Sequence, residues 1–173
     1  MLSLVASNTC TMSHEKLDWI DRLQIREDDL RGKKIAALLQ EHLEDMKAIT
    51  PPESVHALDL DKLRSPDITF WTVWSGENLL GCGALKELDL RNGEIKSMRT
   101  ANAHRRRGIA SKILEHIIKE AQLRGYDCLN LETGALAEFA PARALYQQHG
   151  FEYRSPFAKY TDDPNSVFMM KKL

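Results

Sequence analysis

Long apolar runs are missing from this 173-residue chain. Nothing in it approaches the ~18 consecutive apolar residues of a membrane-spanning helix, so no membrane partner is expected. Cysteine is scarce: Cys10, Cys82 and Cys128 stand far apart. They make neither a disulfide framework nor a paired-thiol metal knuckle; no metal is expected, and a reducing cytoplasm is the expected location. Charge of one sign is not in excess either. A formal net charge of −1 lacks the basic balance of a general nucleic-acid binder. Internal repeats and low-complexity segments are absent, and the first dozen residues lack the basic and apolar regions of a signal peptide. Residues 1–18 are therefore read as a weakly structured leader, with Met12 a conceivable start, and residues 19–173 as one domain. At 43% apolar, that length can bury a real core.

What is present is a regular alternation of strand and helix patterns. Arg22–Arg26 alternates polar and apolar residues as a half-buried strand does. Asp28 and Asp29 can cap the helix that follows, whose apolar stripe runs through Ile35, Leu38, Leu39, His42, Leu43 and Met46. His42 on that stripe reads as a packed core histidine. Pro51-Pro52 ends the helix, and the stretch from Thr50 to Asp67, with a short helix near Leu58–Leu63, is either a binding loop or plain connection. Strands at Ile68–Trp74 and Leu79–Leu88 follow, then Asn92-Gly93, a strong hairpin signal. Glu94 to Thr100 is the next strand, with Glu94, Lys96, Met98 and Thr100 expected on one face and Ile95, Ser97 and Arg99 on the other. A helix over Ile109–Arg124, a strand over Cys128–Thr133, a helix over Phe139–His149 and strands at Phe151–Arg154 and Ser166–Lys171 complete the order. Three consecutive short-linked strands followed by two strand–helix units imply an α/β (α+β) fold. Its sheet should be mixed, mostly antiparallel, of six to seven strands, with helices packed on it.

The chain is organised around Arg105-Arg106-Arg107-Gly108-Ile109-Ala110. A strand, a basic turn and a helix in that order aim the unpaired N–H groups of the helix N-terminus beyond the strand's end, where they favour phosphate. Arg106 and Arg107 add charge there. Gly108, without a Cβ, lets backbone approach a ligand. The plain alternative is a loop of solvated arginines. Neither the P-loop spacing nor the dinucleotide G-x-G-x-x-G is present.

This pattern resembles the GNAT superfamily of N-acetyltransferases. Its [QR]-x-x-G-x-[GA] signature is matched by Arg105, Gly108 and Ala110, and its aromatic residue before a Gly-Phe step by Tyr146 ahead of Gly150-Phe151. The resemblance spans roughly residues 22–173 and implies acetyl-CoA as cosubstrate. Backbone amides from Arg106 through Arg107, Gly108, Ile109 and Ala110 to Ser111 would hold the diphosphate. The backbone of Met98, Arg99 and Thr100 would pair with the acetyl and pantetheine groups, in a gap beside Cys128–Thr133. Phe139, where relatives often carry Asn, and Ala142 would border the same arm, and Arg106 occupies a slot usually filled by Gly. Glu94 matches a general-base glutamate and Tyr146 the tyrosine that protonates the leaving thiolate, with the Met98 N–H on the oxyanion. The plain alternatives are a hairpin-edge carboxylate, solvated or paired with Lys96 or Arg91, for Glu94, and a core aromatic for Tyr146, whose place before the Gly-Phe step favours the acid role. Ser54, His56, Glu132 and Thr133 are candidate acceptor contacts, with Phe157 and Tyr160 further off. The acceptor implied is a small-molecule amine. A peptide amine is the runner-up, and a non-catalytic acyl-CoA sensor the alternative from another class. Edge strands at the C-terminus allow a homodimer.

Overall fold

The computed structural model describes residues 19–52 and 60–173. Ser54 and His56 lie outside the described residues. The strands are β1 (Gln24–Glu27), β2 (Ile68–Ser75), β3 (Asn78–Glu87), β4 (Asn92–Thr100), β5 (Cys128–Gly134), β6 (Glu152–Arg154) and β7 (Ser166–Lys172). The helices are α1 (Lys33–Ile49), α2 (Leu60–Leu63), α3 (Ile109–Leu123) and α4 (Ala140–Gln148). All seven strands form one sheet in the order β1-β2-β3-β4-β5-β7-β6, antiparallel except for β4 beside β5. No helix among the described residues is long and apolar enough to cross a membrane.

Two apolar layers hold helices to opposite faces. α3 buries Ile109, Ile113, Leu114, Ile117 and Ala121 against Trp71, Val73, Leu85, Ile95, Leu129 and Leu131, as its i, i+4 rows predict. Each such aliphatic side chain is worth about 1.5–3 kcal/mol of transfer free energy, so α3 is firmly seated. α4 joins this layer through Tyr146, with Ala142 and Leu145 packed against it. On the other face, Ile35 and Leu38 of α1 and Leu63 of α2 pack on Phe70, Cys82 and Ala84.

Two expected turns differ. Asp28 and Asp29 do not cap α1; their carboxylates accept the amides of Leu30 (2.8 Å) and Arg31 (3.0 Å) two residues on, and Gly32 is the N-cap. Asn92-Gly93 is not the hairpin tip. Asp89 takes that role by accepting the Arg91 amide at 2.8 Å and the Asn92 side chain at 3.0 Å, while Asn92 and Gly93 already pair with β5.

The decisive irregularity is in β4. Cys82 pairs with Arg99 and Ala84 with Lys96, so Ser97 and Met98 together oppose the single residue Gly83. This is a β-bulge, with Ser97 in the left-handed region at φ 53°. The extra residue reverses the alternation expected for the end of the strand. Met98 turns onto the α3 layer, and a Cβ on Gly83 would stand 2.7 Å from its sulfur. Arg99 turns the other way, toward α1, where Glu41 (2.7 Å) and Asp45 (2.5 Å) hold it.

Candidate active site

Pairing between β4 and β5 runs from Asn92 opposite Cys128 only as far as Ile95 opposite Leu131. Beyond that point the bulged end of β4 leaves β5, and a cavity of about 140 Å³ lies in the gap. One bank is Ile95, Lys96, Ser97 and Met98; the other is Glu132, Thr133 and Gly134. α4 closes one side with Ala142, Tyr146 and its N-cap Phe139, and α1 the other with His42, Met46 and its C-cap Thr50. Because β4 and β5 are parallel, their C-terminal ends share one sheet edge. The helices that follow them, α3 and α4, therefore both begin there.

The basic turn lies past the end of β4. Gly108 is the N-cap of α3 at φ 85°, with no side-chain cap, and the Lys112 amide bonds Gly108 O at 3.0 Å. The amides of Ile109, Ala110 and Ser111 thus precede the first intrahelical bond and point out of the helix end. Arg106 has φ 61°, which explains why glycine suits that slot: a left-handed residue there costs glycine nothing. Arg105 reaches Asp45 at 3.4 Å. The Arg107 guanidinium lies 4.2 Å from the Trp19 ring centroid, and a Cβ on Gly108 would stand 2.7 Å from Ile20. Residues 105–111 do not line the cavity itself.

Of the residues singled out from sequence, the fold brings Met98, Glu132, Thr133, Phe139, Ala142 and Tyr146 to the cavity wall. Tyr146 is buried, its ring edge-on to Phe151 with centroids 5.7 Å apart. Burial, and then the Glu132 carboxylate, push its phenol well above the ordinary range, so it stays a proton donor. Glu132 accepts the Ser166 hydroxyl at 2.8 Å. Phe139 lies over Gly134, where a Cβ would come within 2.2 Å of its ring; a side chain at 134 would push Phe139 off the wall.

Glu94 is placed differently. It is 3% exposed and does not line the cavity. Its Oε1 accepts Lys96 Nζ at 2.8 Å and the Tyr160 hydroxyl at 2.7 Å, and Lys96 also reaches Tyr160 at 2.7 Å. The pairing with Lys96 weighed from sequence is the arrangement found, with Tyr160 added. Burial and the Glu94 charge keep the Tyr160 phenol far above its usual range. Arg99, with its side chain against α1, can meet a ligand in the gap only through its backbone. Thr100, opposite Gly81, is off the wall too.

Cavity-lining residues not assigned to the site from sequence include Lys96, Met46, Thr50, Asn165 and His42, the last read as core. The signal was present: His42, Met46 and Thr50 recur at four-residue spacing, one stripe of α1. Burial, and next the Arg99 charge, lower the His42 imidazole from 6.5 to about 4. Its folded value lies below its unfolded one. Its contribution to stability is therefore complete above pH 6.5 and is lost as pH falls toward about 4. An NMR titration of the His42 ring is expected to show a midpoint near 4; a midpoint near 6.5 would mean the ring is solvated.

The sequence pattern of the acetyltransferase (GNAT) family matches residues 35–151. The uncharacterized N-acetyltransferase YsnE of Bacillus subtilis is 59% identical over 151 residues, covering 87% of this chain and all of that one. The uncharacterized N-acetyltransferase YedL of Escherichia coli is 52% identical over 145 residues, covering 84% and 91%. Among solved structures, a Bacillus subtilis acetyltransferase in complex with CoA superposes with a TM-score of 0.66. It is 17% identical, with 87% of this chain and 99% of that one covered, a likeness of fold. A parted β4–β5 pair, an uncapped helix end beyond it and these matches agree: the chain belongs to the GNAT family of acetyltransferases.

Proposed function

We propose that the protein is an acetyl-CoA-dependent N-acetyltransferase of the cytoplasm, acting on the primary amine of a small metabolite by direct transfer in a ternary complex. The observation that carries this reading is the gap between β4 and β5 with Tyr146 on its wall. The amides of Ile109, Ala110 and Ser111, with Arg106, Arg107 and Gly108, hold the diphosphate of the cosubstrate. Its pantetheine arm enters the gap along the Met98–Thr100 backbone, past Phe139 and Ala142. The acceptor comes from the α1 side toward Glu132 and Thr133.

The chemistry needs a free amine, a seat for the oxyanion and a proton for the thiolate. A protonated amine has no lone pair, so a base must first take its proton. Glu132 is the carboxylate on the wall and is the better base by position; Glu94 is enclosed by Lys96 and Tyr160 and acts by fixing Lys96. The amine nitrogen then attacks the thioester carbonyl, and the Met98 N–H stabilises the oxyanion, an effect commonly worth ~2.7–4 kcal/mol. The C–S bond breaks as the Tyr146 hydroxyl gives its proton to sulfur, and the attacking nitrogen, carrying one extra proton after attack, returns a proton through water to the Tyr146 phenolate to leave the neutral amide.

Thiol release from acetyl-CoA with a panel of small primary amines tests this. Release should require both substrates, with intersecting initial-velocity lines. Parallel lines would refute the ternary complex. A melting temperature raised by CoA with no release on any amine would favour the sensor.

A further inference from the structure

The strands that flank the gap part at a fixed rung, and the residue just past it on each carries a charge of opposite sign. Ile95 opposite Leu131 is the last pair of β4 and β5, and both side chains are buried in the α3 layer. Alternation then sends the next residues, Lys96 and Glu132, to the face away from α3. Ala84, which pairs with Lys96, packs on that face with Ile35 and Leu38 of α1. Lys96 and Glu132 both line the cavity, one on each bank. A cation and a carboxylate thus stand across the fork from each other, on the side from which the acceptor comes.

Each is held by other partners. Lys96 Nζ donates to Glu94 Oε1 at 2.8 Å and to the Tyr160 hydroxyl at 2.7 Å, and that hydroxyl donates to the same carboxylate oxygen at 2.7 Å. Glu132 accepts the Ser166 hydroxyl at 2.8 Å. The Tyr160 ring packs on Phe157 and Phe168, with centroids 5.0 and 5.3 Å away, so an aromatic cluster sets the ammonium in place. An ammonium has three N–H donors; two are used inside the protein, and the third remains for a group in the cavity. Folding does not account for the lysine, because a buried ion pair contributes little over apolar side chains of the same volume. The Lys96 side chain is 11% exposed and that of Glu94 4%. Glu94 balances the charge from off the wall, and a ligand meets the lysine side of the pair.

We propose that Lys96 determines acceptor specificity by binding a carboxylate, and that the acceptor is an α- or β-amino acid laid across the fork, its carboxylate on Lys96 and its amine at Glu132. Neighbouring strands lie about 4.8 Å apart and these two begin to part here, a span that suits one or two carbons between amine and carboxylate. A carboxylate gives Lys96 a charge-assisted hydrogen bond, which an uncharged substituent does not. Lys96 and Glu132 meet the acceptor through side chains on this face, while the pantetheine arm follows the backbone of Met98–Thr100. The assignment rests on the acetyl-transfer reading and names its substrate class; the carboxylate takes no part in the proton transfers.

Matched couples test this: glycine against ethanolamine, β-alanine against 3-aminopropanol, and L-phenylalanine against L-phenylalaninol, each exchanging the carboxylate for a hydroxymethyl group. Acetylation is followed by thiol release, and the acid-to-alcohol ratio of kcat/KM is compared among variants, so that each amine's intrinsic reactivity cancels. Wild type should favour the acid in at least one couple. Lys96→Met should lower that ratio by about tenfold, and Lys96→Arg should keep most of it. Because Lys96→Met leaves Glu94 buried without its counter-charge, the double variant Lys96→Met/Glu94→Gln is measured beside it and should show the same loss. Glu94→Gln alone keeps an acceptor for the lysine and removes the compensating charge, so its ratio should equal or exceed that of wild type. The dissociation constant of CoA and the melting temperature are measured on every variant, which separates recognition from folding. An unchanged ratio in the folded double variant overturns the inference, as does a wild type with no preference for the acid in any couple. A Glu94→Gln ratio that falls as far as that of Lys96→Met also overturns it, since a merely structural pair fails alike from either side. CoA binding with none of the six amines acetylated overturns the substrate class and leaves acetyl transfer to other acceptors standing. Absence of CoA binding would overturn the acetyl-transfer reading itself.

Discussion

Replacing Tyr146 by Phe should lower kcat by about two to three orders of magnitude, within the range of a lost general acid. The dissociation constant of CoA should move by no more than about twofold. The ring, stacked edge-on against Phe151, remains, so packing in the α4 layer is kept and only the hydroxyl goes. Without it the thiolate must leave unprotonated or find a proton in water. Because burial and Glu132 hold the Tyr146 phenol above its ordinary value of 10.0, the donor form persists as pH rises. Wild-type turnover should therefore show no alkaline loss from this group below that value. Equal losses in turnover and CoA affinity would make Tyr146 a packing residue.

The second large effect is on stability. Gly81→Ala should destabilise the fold by about 2–3 kcal/mol, lowering the melting temperature by roughly 5–10 °C. A Cβ there would stand 2.6 Å from the Arg99 carbonyl oxygen and 3.1 Å from Ile109. The first of these is backbone, so β3 and β4 must separate beside the bulge that opens the candidate-site gap. Gly83→Ala is the informative control. Its Cβ meets the Met98 sulfur at 2.7 Å, the end of an adaptable side chain that can give way, so a smaller loss is expected. Thermal melts of the two variants check the contrast; equal losses would mean that the β3–β4 spacing is not the constraint.

Much of this architecture was legible because periodicity reports burial. The α3 rows, the short linked strands and the basic turn before a helix each read correctly from residue spacing. What periodicity cannot report is a bulge. One extra residue at Ser97 and Met98 reverses the faces of everything after it, so Met98 and Arg99 were expected on faces opposite to those they occupy. Asn92-Gly93 misled for a related reason: a favourable turn dipeptide was outbid by Asp89, whose carboxylate gathers the amide of Arg91 and the side chain of Asn92.

The candidate site was legible where a motif names it and opaque where tertiary contacts build it. Tyr146 and residues 105–111 stand at recognisable spacings. Glu94 looked like a base because its distance from the turn is right, yet Lys96 and Tyr160, the latter 66 residues away, enclose it. His42 read as core because it shares a helix stripe with leucines. That stripe passes from the apolar layer to the cavity at Met46 and Thr50, and only the parting of β4 from β5 makes a cavity there.

The diphosphate cup is tested most directly by amide NMR during a titration with CoA. The largest shifts should fall on Gly108, Ile109, Ala110 and Ser111, with a second set on Met98 and Thr100 along the open edge of β4. Dephospho-CoA, which keeps the diphosphate, should reproduce the first set. Saturating CoA that leaves the amides of residues 106–111 unmoved would contradict the cup, and with it the acetyl-transfer reading.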